Sequence, residues 1–155
     1  MTKEAAFVPM RATLGATMLY HGVQKVRGPG QAAGMFESLG FKPGERWARL
    51  TGLAEVLGGA TAILGIGTRL GALAVLATQA VAIGKVHGPK GFSNVTGGYE
   101  FNLALIGMAA ALLAAGPGII SAHELVERRL ERRRGLWALA NPRRRGALRF
   151  VKLLK

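Results

Sequence analysis

The chain of 155 residues has no cysteine and no aspartate, and only three histidines. Without cysteine it cannot build a disulfide framework, a thiolate metal site or a Cys-x-x-Cys redox couple of its own. Without aspartate, Glu55 and Glu100 are the only carboxylates in or beside its long apolar segments. The body of the chain also lacks charge. Of the 21 Lys and Arg, eleven fall in residues 122–155, against three Glu, so a formal net charge of +13 resides mostly in the last fifth of the chain.

What is present is apolar. Half the residues are hydrophobic, mean hydropathy is +0.26, and Gly and Ala abound. Four apolar stretches of 17 to 20 residues run over 9–26, 47–66, 70–86 and 99–115. At 1.5 Å per residue each is about 25–30 Å long, enough to cross the hydrocarbon core of a bilayer. A chain of this length predicts one domain. The pattern therefore predicts an all-α fold: an antiparallel bundle of four transmembrane helices over residues 1–120, followed by a basic, helical, amphipathic tail over 121–155. The first stretch ends in Tyr20-His21-Gly22-Val23-Gln24-Lys25 without a small-residue cleavage pattern, which predicts a retained first span and not a removable signal.

An even number of spans puts both termini on one side, and the Arg-rich tail assigns that side to the cytoplasm. The expected location is the cell membrane, multi-pass. The outer loops are then 27–46 and 87–98. Within the first, Ala32, Met35, Phe36 and Leu39 follow the spacing of one helical face, with Pro29-Gly30 before and Gly40 after. This predicts a short helix lying in the interface.

The ionisable and amide side chains within these spans carry the functional expectation. His21, Lys25, Glu55, Gln79, His87, Glu100 and Asn102 all fall in the outer half of the predicted bundle, and the inner half is expected to offer almost none. Charged groups at membrane depth are costly, so such a cluster is read as a ligand-binding or polar layer. Glu55 is expected to face Lys25, His21 or a ligand. The bland readings are that Lys25 snorkels to the headgroups, Glu100 is a solvated helix start, and Gln79 and Asn102 join helices. Small residues every four positions (Ala54, Gly58 and Ala62; Ala74, Thr78 and Ala82; Gly107, Ala111 and Ala115) predict the close helix contacts.

Beyond Gly116-Pro117-Gly118, Ser121 and Glu124 form a capping box for a helix to about Arg134, with Glu124 and Arg128 paired one turn apart. The end of the tail sets Leu148, Val151 and Leu154 against Arg149, Lys152 and Lys155. Together with Arg143, Arg144 and Arg145 it predicts a surface for anionic headgroups. Lipid is a simpler partner for this charge than nucleic acid, and docking of other protein subunits is the competing use.

Several pieces in this order resemble the DoxX family of small four-helix membrane proteins. They are His21-Gly22-x-x-Lys25, Glu55-Val56-Leu57-Gly58-Gly59, Gly67-Thr68-Arg69, His87 with Phe92 beyond it, Gly98-Tyr99-Glu100, and Gly116-Pro117-Gly118 followed by Ser121. They cover residues 11 to about 123. The family pattern often has an acidic residue two positions after the serine, where this chain has His123, and the basic tail lies beyond the family core. The family is named for a subunit linked to quinone-coupled thiosulfate oxidation, and other members associate with membrane redox complexes. The resemblance implies a redox-associated membrane subunit, at most part of an oxidoreductase, with a quinone-sized pocket in the outer half of the bundle. No cofactor is fixed by the residues themselves, and quinone is the one the resemblance favours. The alternatives are a non-catalytic scaffold that recruits a soluble partner through its tail, and a metal or haem site using His21 and His87. Against a metal, no two candidate ligands share the Glu-x-x-His spacing of di-iron bundles. A solute transporter ranks lower still, because no inverted repeat or broken helix pair is evident.

Overall fold

The computed structural model describes residues 6–137, with side chains to residue 131, and the described residues are helical with no strand. The long helices are α1 (Phe7–Arg27), α3 (Gly44–Leu64), α4 (Thr68–Ala82) and α5 (Glu100–Ala115). A short α2 (Pro29–Ser38) joins α1 to α3, and α6 (Ala122–Trp137) follows α5. α4 runs on through a π turn, Ile83–His87, into a 3-10 turn, Gly88–Lys90. The four apolar stretches thus each become one long helix. The basic segment 143–155 lies outside the described residues.

Turn chemistry sets the ends. α3 stops at Gly65, whose φ of +68° is left-handed backbone that glycine adopts without strain, and its N–H returns to Thr61 O. α5 stops at Gly116, before Pro117. α2 begins on Pro29, whose missing N–H costs nothing in a first turn. Phe36 of α2 is buried, as its helical spacing predicts. Its ring meets Phe41, which in turn meets Trp47 at the start of α3. Glu37 accepts the Gly44 N–H at 3.1 Å, so α2 is fastened to the start of α3.

The core draws on all four long helices: Leu14 and Met18, Ala62, Ala72 and Val75, and Leu105, Ala109 and Leu112. The closest approach is between α1 and α3. A Cβ on Gly22 would lie 2.7 Å from Gly52 O, and one on Gly52 would lie 2.8 Å from Gly22 O. Gly15 and Gly59 make the same reciprocal contact seven residues away on each helix. The reversed order of these pairs shows that α1 and α3 are antiparallel. α3 meets α4 through Gly58 against Val75 and Gly71 against Thr61, again in reversed order.

These contacts correct the expected small-residue stripes. Gly58 and Ala62 are buried as expected. The stripe Gly107, Ala111 and Ala115 is not, since α5 buries Asn102, Leu105, Ala109 and Leu112 and a Cβ on Gly107 would meet nothing. On α4 the buried face is Thr68, Gly71, Ala72, Val75 and Gln79, while Ala74, Thr78 and Ala82 are only half-buried. The buried faces are instead the ones that carry Gln79 and Asn102.

The end of the bundle away from Lys25 and Glu55 holds a second correction. The half expected to face inward was read as nearly free of polar groups, yet Arg11 is buried there and donates four hydrogen bonds to main-chain carbonyls. Nε reaches Ala62 O at 2.8 Å and Nη2 reaches Ile63 O at 2.7 Å, while Nη1 serves Pro117 O at 3.0 Å and also Ile120 O. The last carbonyls of a helix have no intrahelical donor, and its C-terminus favours a cation. Arg11 supplies both needs for α3 and ties the α5–α6 connection to the same point. Gly65 is required beside it for space as well, since a Cβ there would lie 2.6 Å from Nη2.

One continuous helical stretch among the described residues, Thr68–Lys90, is long and apolar enough by composition to cross a membrane, and α5 is a shorter apolar helix. α1 and α3 have the length but carry Arg11, Lys25 and Arg27, and Glu45, Arg46, Arg49 and Glu55. Several of these charges are partnered inside the fold, so composition understates how apolar the outer faces are. α3 presents Leu50, Leu53, Leu57, Ile63 and Leu64 outward, and α4 presents Leu70, Leu73 and Val81.

Arg11→Met should destabilise the detergent-solubilised protein by at least about 3 kcal/mol, since several carbonyls lose a charged donor at once. Arg11→Lys should fall between, because one ammonium cannot span four acceptors on two segments. Denaturant titration of helical circular dichroism measures both.

Candidate functional site

The seven singled-out side chains form two contacts and three separate placements. Lys25 Nζ lies 2.9 and 2.7 Å from the two carboxylate oxygens of Glu55. Glu55 is 7% exposed and Lys25 20%, so the pair is nearly buried but open on the lysine side. It lies beside the Gly22–Gly52 contact, and a Cβ on Gly52 would touch that of Lys25. The absence of side chains at both glycines lets the lysine stem lie down across α3 and reach Glu55.

The second contact joins α1, α4 and α5. Asn102 Nδ2 donates to Gln79 Oε1 at 2.8 Å, and Gln79 Nε2 points to the Met18 sulfur at 3.8 Å. All three side chains are buried. Both amides are thereby engaged across helix interfaces, and the thioether serves as a weak acceptor. The helix contacts already described put this group at about the level of Glu55: Gly58 packs on Val75, one turn before Gln79, and Met18 lies one turn before Gly22.

The remaining three stand apart. His21 is exposed and its ring meets Tyr20 edge-on at 5.3 Å. His87, in the π turn, has Nδ1 2.7 Å from Gly97 O. A carbonyl only accepts, so Nδ1 carries the proton and closes the 88–98 loop. Tyr99 and Glu100 close the same loop from the other side, donating their N–H groups to Gly91 O and Phe92 O. Glu100 is half-exposed at the first turn of α5, where the helix dipole favours a carboxylate. Of His21, Lys25, Glu55, His87 and Glu100, which were expected to converge, only Lys25 and Glu55 are in direct contact among the described residues. The physical reason is local: His21, next to Gly22 in sequence, projects about 100° away from it around α1 and is exposed, and His87 bonds within the turn it closes. Among the described residues no three His or Glu side chains gather as metal ligands.

Arg11 is the polar residue that sequence reasoning passed over, and its signal was available. An arginine two positions inside an apolar stretch must find acceptors or leave the membrane. At the same end Ser121 Oγ accepts the Glu124 N–H at 3.2 Å, forming the predicted cap, and Arg128 pairs with Glu124 at 2.9 Å. His123 is buried there with Nε2 3.4 Å from Glu127 Oε2 on the next turn.

The fold and its buried polar contacts define a helical protein in which Arg11, Lys25 and Glu55 are partnered inside the fold while α3 and α4 carry largely apolar outer faces. Comparison with known proteins gives the class. The family model DoxX matches residues 6–88. The uncharacterized membrane protein Rv3486 of Mycobacterium tuberculosis is 30% identical over 135 residues, covering 80% of each chain. No solved structure matches. The chain belongs to the DoxX family and is a helical membrane protein.

In hydrocarbon, removing one partner of a buried ion pair leaves the other charge uncompensated. Glu55→Leu and Lys25→Met should each destabilise the solubilised protein by about 3 kcal/mol, and the double variant by clearly less than their sum. A double-mutant cycle on thermal unfolding reads this coupling, and additive effects would mean that the pair contributes nothing.

Proposed function

We propose that the protein is a multi-pass subunit of a membrane redox complex, with both termini cytoplasmic, whose Lys25–Glu55 pair lines a site for a quinone-sized ligand in the outer half of a four-span bundle. The observation that carries this reading is the pair itself: a carboxylate and an ammonium held together at membrane depth, with the lysine open to its surroundings. A quinone needs an apolar cleft and one or two groups that hydrogen-bond and exchange protons. Lys25 donates to a carbonyl oxygen, Glu55 holds or releases the proton, and Gln79 and Asn102 stiffen the adjacent helices. Family membership supports a membrane setting, and the resemblance supplies the redox association.

The scaffold reading also has an observation in its favour. Lys25, Glu55, Gln79 and Asn102 all bond to one another or to protein neighbours, as structural cross-links do. In that case residues 1–120 are a platform and the basic segment 121–155 recruits a soluble partner. The metal or haem alternative draws no such support, since His21 is exposed and His87 is engaged with Gly97 O.

The test is an organic extract of the purified protein, with titration of a short-chain quinone followed by quenching of tryptophan fluorescence. Copurified quinone is expected, and Glu55→Gln should weaken binding at least tenfold, or about 1.4 kcal/mol. A protein that extracts without quinone and shows no saturable quenching would be the scaffold.

A further inference from the structure

The elbow between α5 and α6 exposes apolar side chains where a chain leaving a membrane would usually turn polar. Ile119 is 47% exposed, Ile120 55% and Leu125 65%, with Val126 beside them. Arg128 and Arg129 follow on the exposed side of α6. The opposite face of α6 is inward, where His123 is 2% exposed. The orientation of the elbow is fixed and not incidental. Arg11 holds the carbonyls of both Pro117 and Ile120, and the same guanidinium holds Ala62 and Ile63 at the end of α3. Ile119 and Ile120 therefore sit level with the last turn of α3, where Ile63 and Leu64 are also exposed.

We infer that the surface formed by Ile119, Ile120, Leu125, Val126, Arg128 and Arg129 docks on anionic lipid at the membrane interface, with α6 lying along the bilayer surface. Two features select this occupant. The apolar exposure continues at the level of the outward-facing residues of α3, so the surface that covers Ile63 and Leu64 reaches Ile119 and Ile120 as well. The charge that flanks it is cationic, and an interfacial helix is held by apolar burial together with attraction to anionic headgroups. Arg129 is exposed and pairs with no carboxylate among the described residues, while Arg128 shares its charge with Glu124. Arg11 has a defined part in this. It sets the height at which α6 leaves the bundle, and so brings Leu125 to the interface. The inference goes beyond the proposed ligand site and does not depend on it, since a scaffold would dock in the same way.

The native chain has no cysteine, so Leu125→Cys gives a single labelling site in the full-length protein. An environment-sensitive fluorophore at this position is followed in nanodiscs of phosphatidylcholine alone and of phosphatidylcholine with phosphatidylglycerol. With phosphatidylglycerol, emission should shift to the blue, lipids spin-labelled near the headgroup should quench it, and aqueous iodide should reach it poorly. Arg128→Glu with Arg129→Glu should abolish the difference between the two discs. Ile120→Cys provides an independent site with the same expectation. Efficient iodide quenching without lipid quenching in both discs would overturn the inference, because the surface would then face the cytosol and a soluble partner. Equal lipid quenching in both discs would overturn its anionic part.

Discussion

The α1–α3 pair is fastened at both ends by a cation of α1, and the rest of the structure is arranged around it. Between the ends, Gly15 meets Gly59 and Gly22 meets Gly52, so the two backbones touch. Beyond Gly22, Lys25 reaches Glu55; beyond Gly15, Arg11 reaches the last carbonyls of α3. Lipid chains are as apolar as leucine, so burial of apolar surface does not drive helices together within a bilayer. Close packing of small residues and internal satisfaction of polar groups must do so, and this pair uses both. α4 then packs on the other side of α3, and α5 on α4 through Gln79 and Asn102.

The same arrangement explains why composition and fold point in different directions. α1 and α3 are long enough but fall short of a membrane span by composition. The charges that reach the interior are neutralised there, Lys25 by Glu55 and Arg11 by four carbonyl dipoles, while the outward face of α3 is leucine-rich. Others, such as Arg46 and Arg49, sit exposed near the start of α3, close to Trp47. An amphipathic tip such as that of Trp47 suits the boundary between headgroups and hydrocarbon.

Much of the helix order was legible in the sequence, because apolar runs, Gly stops and the Pro29 start are local signals. The Ser121 cap and the α2 face were legible for the same reason. Depth and cost predicted that Glu55 faces Lys25, His21 or a ligand, and among these it contacts Lys25. What was not legible depended on azimuth, meaning which side of each helix a residue occupies. His21 and Lys25 are one turn apart on α1, yet one is exposed and the other pairs inward, a difference decided by where the glycines lie. The close contacts repeat every seven residues on α1 and α3, so a search for every-fourth spacing found Gly58 and Ala62 but not Gly15, Gly22, Gly52 and Gly59 together. Arg11 was hidden by the opposite error: its partners are backbone carbonyls distant in sequence, which no side-chain motif announces. The basic segment 143–155 lies outside the described residues and stays an expectation.

The glycine-to-glycine contact of α1 with α3 is the central claim, and it can be observed without altering a residue. Glycine-selective labelling of the full-length protein in lipid nanodiscs allows through-space cross-peaks between Hα protons to be recorded by NMR. Cross-peaks are expected for Gly15 with Gly59 and for Gly22 with Gly52, and none from Gly107 of α5 to either helix. Absence of both pairs, with Gly107 in contact with α1 or α3 instead, would contradict the claim.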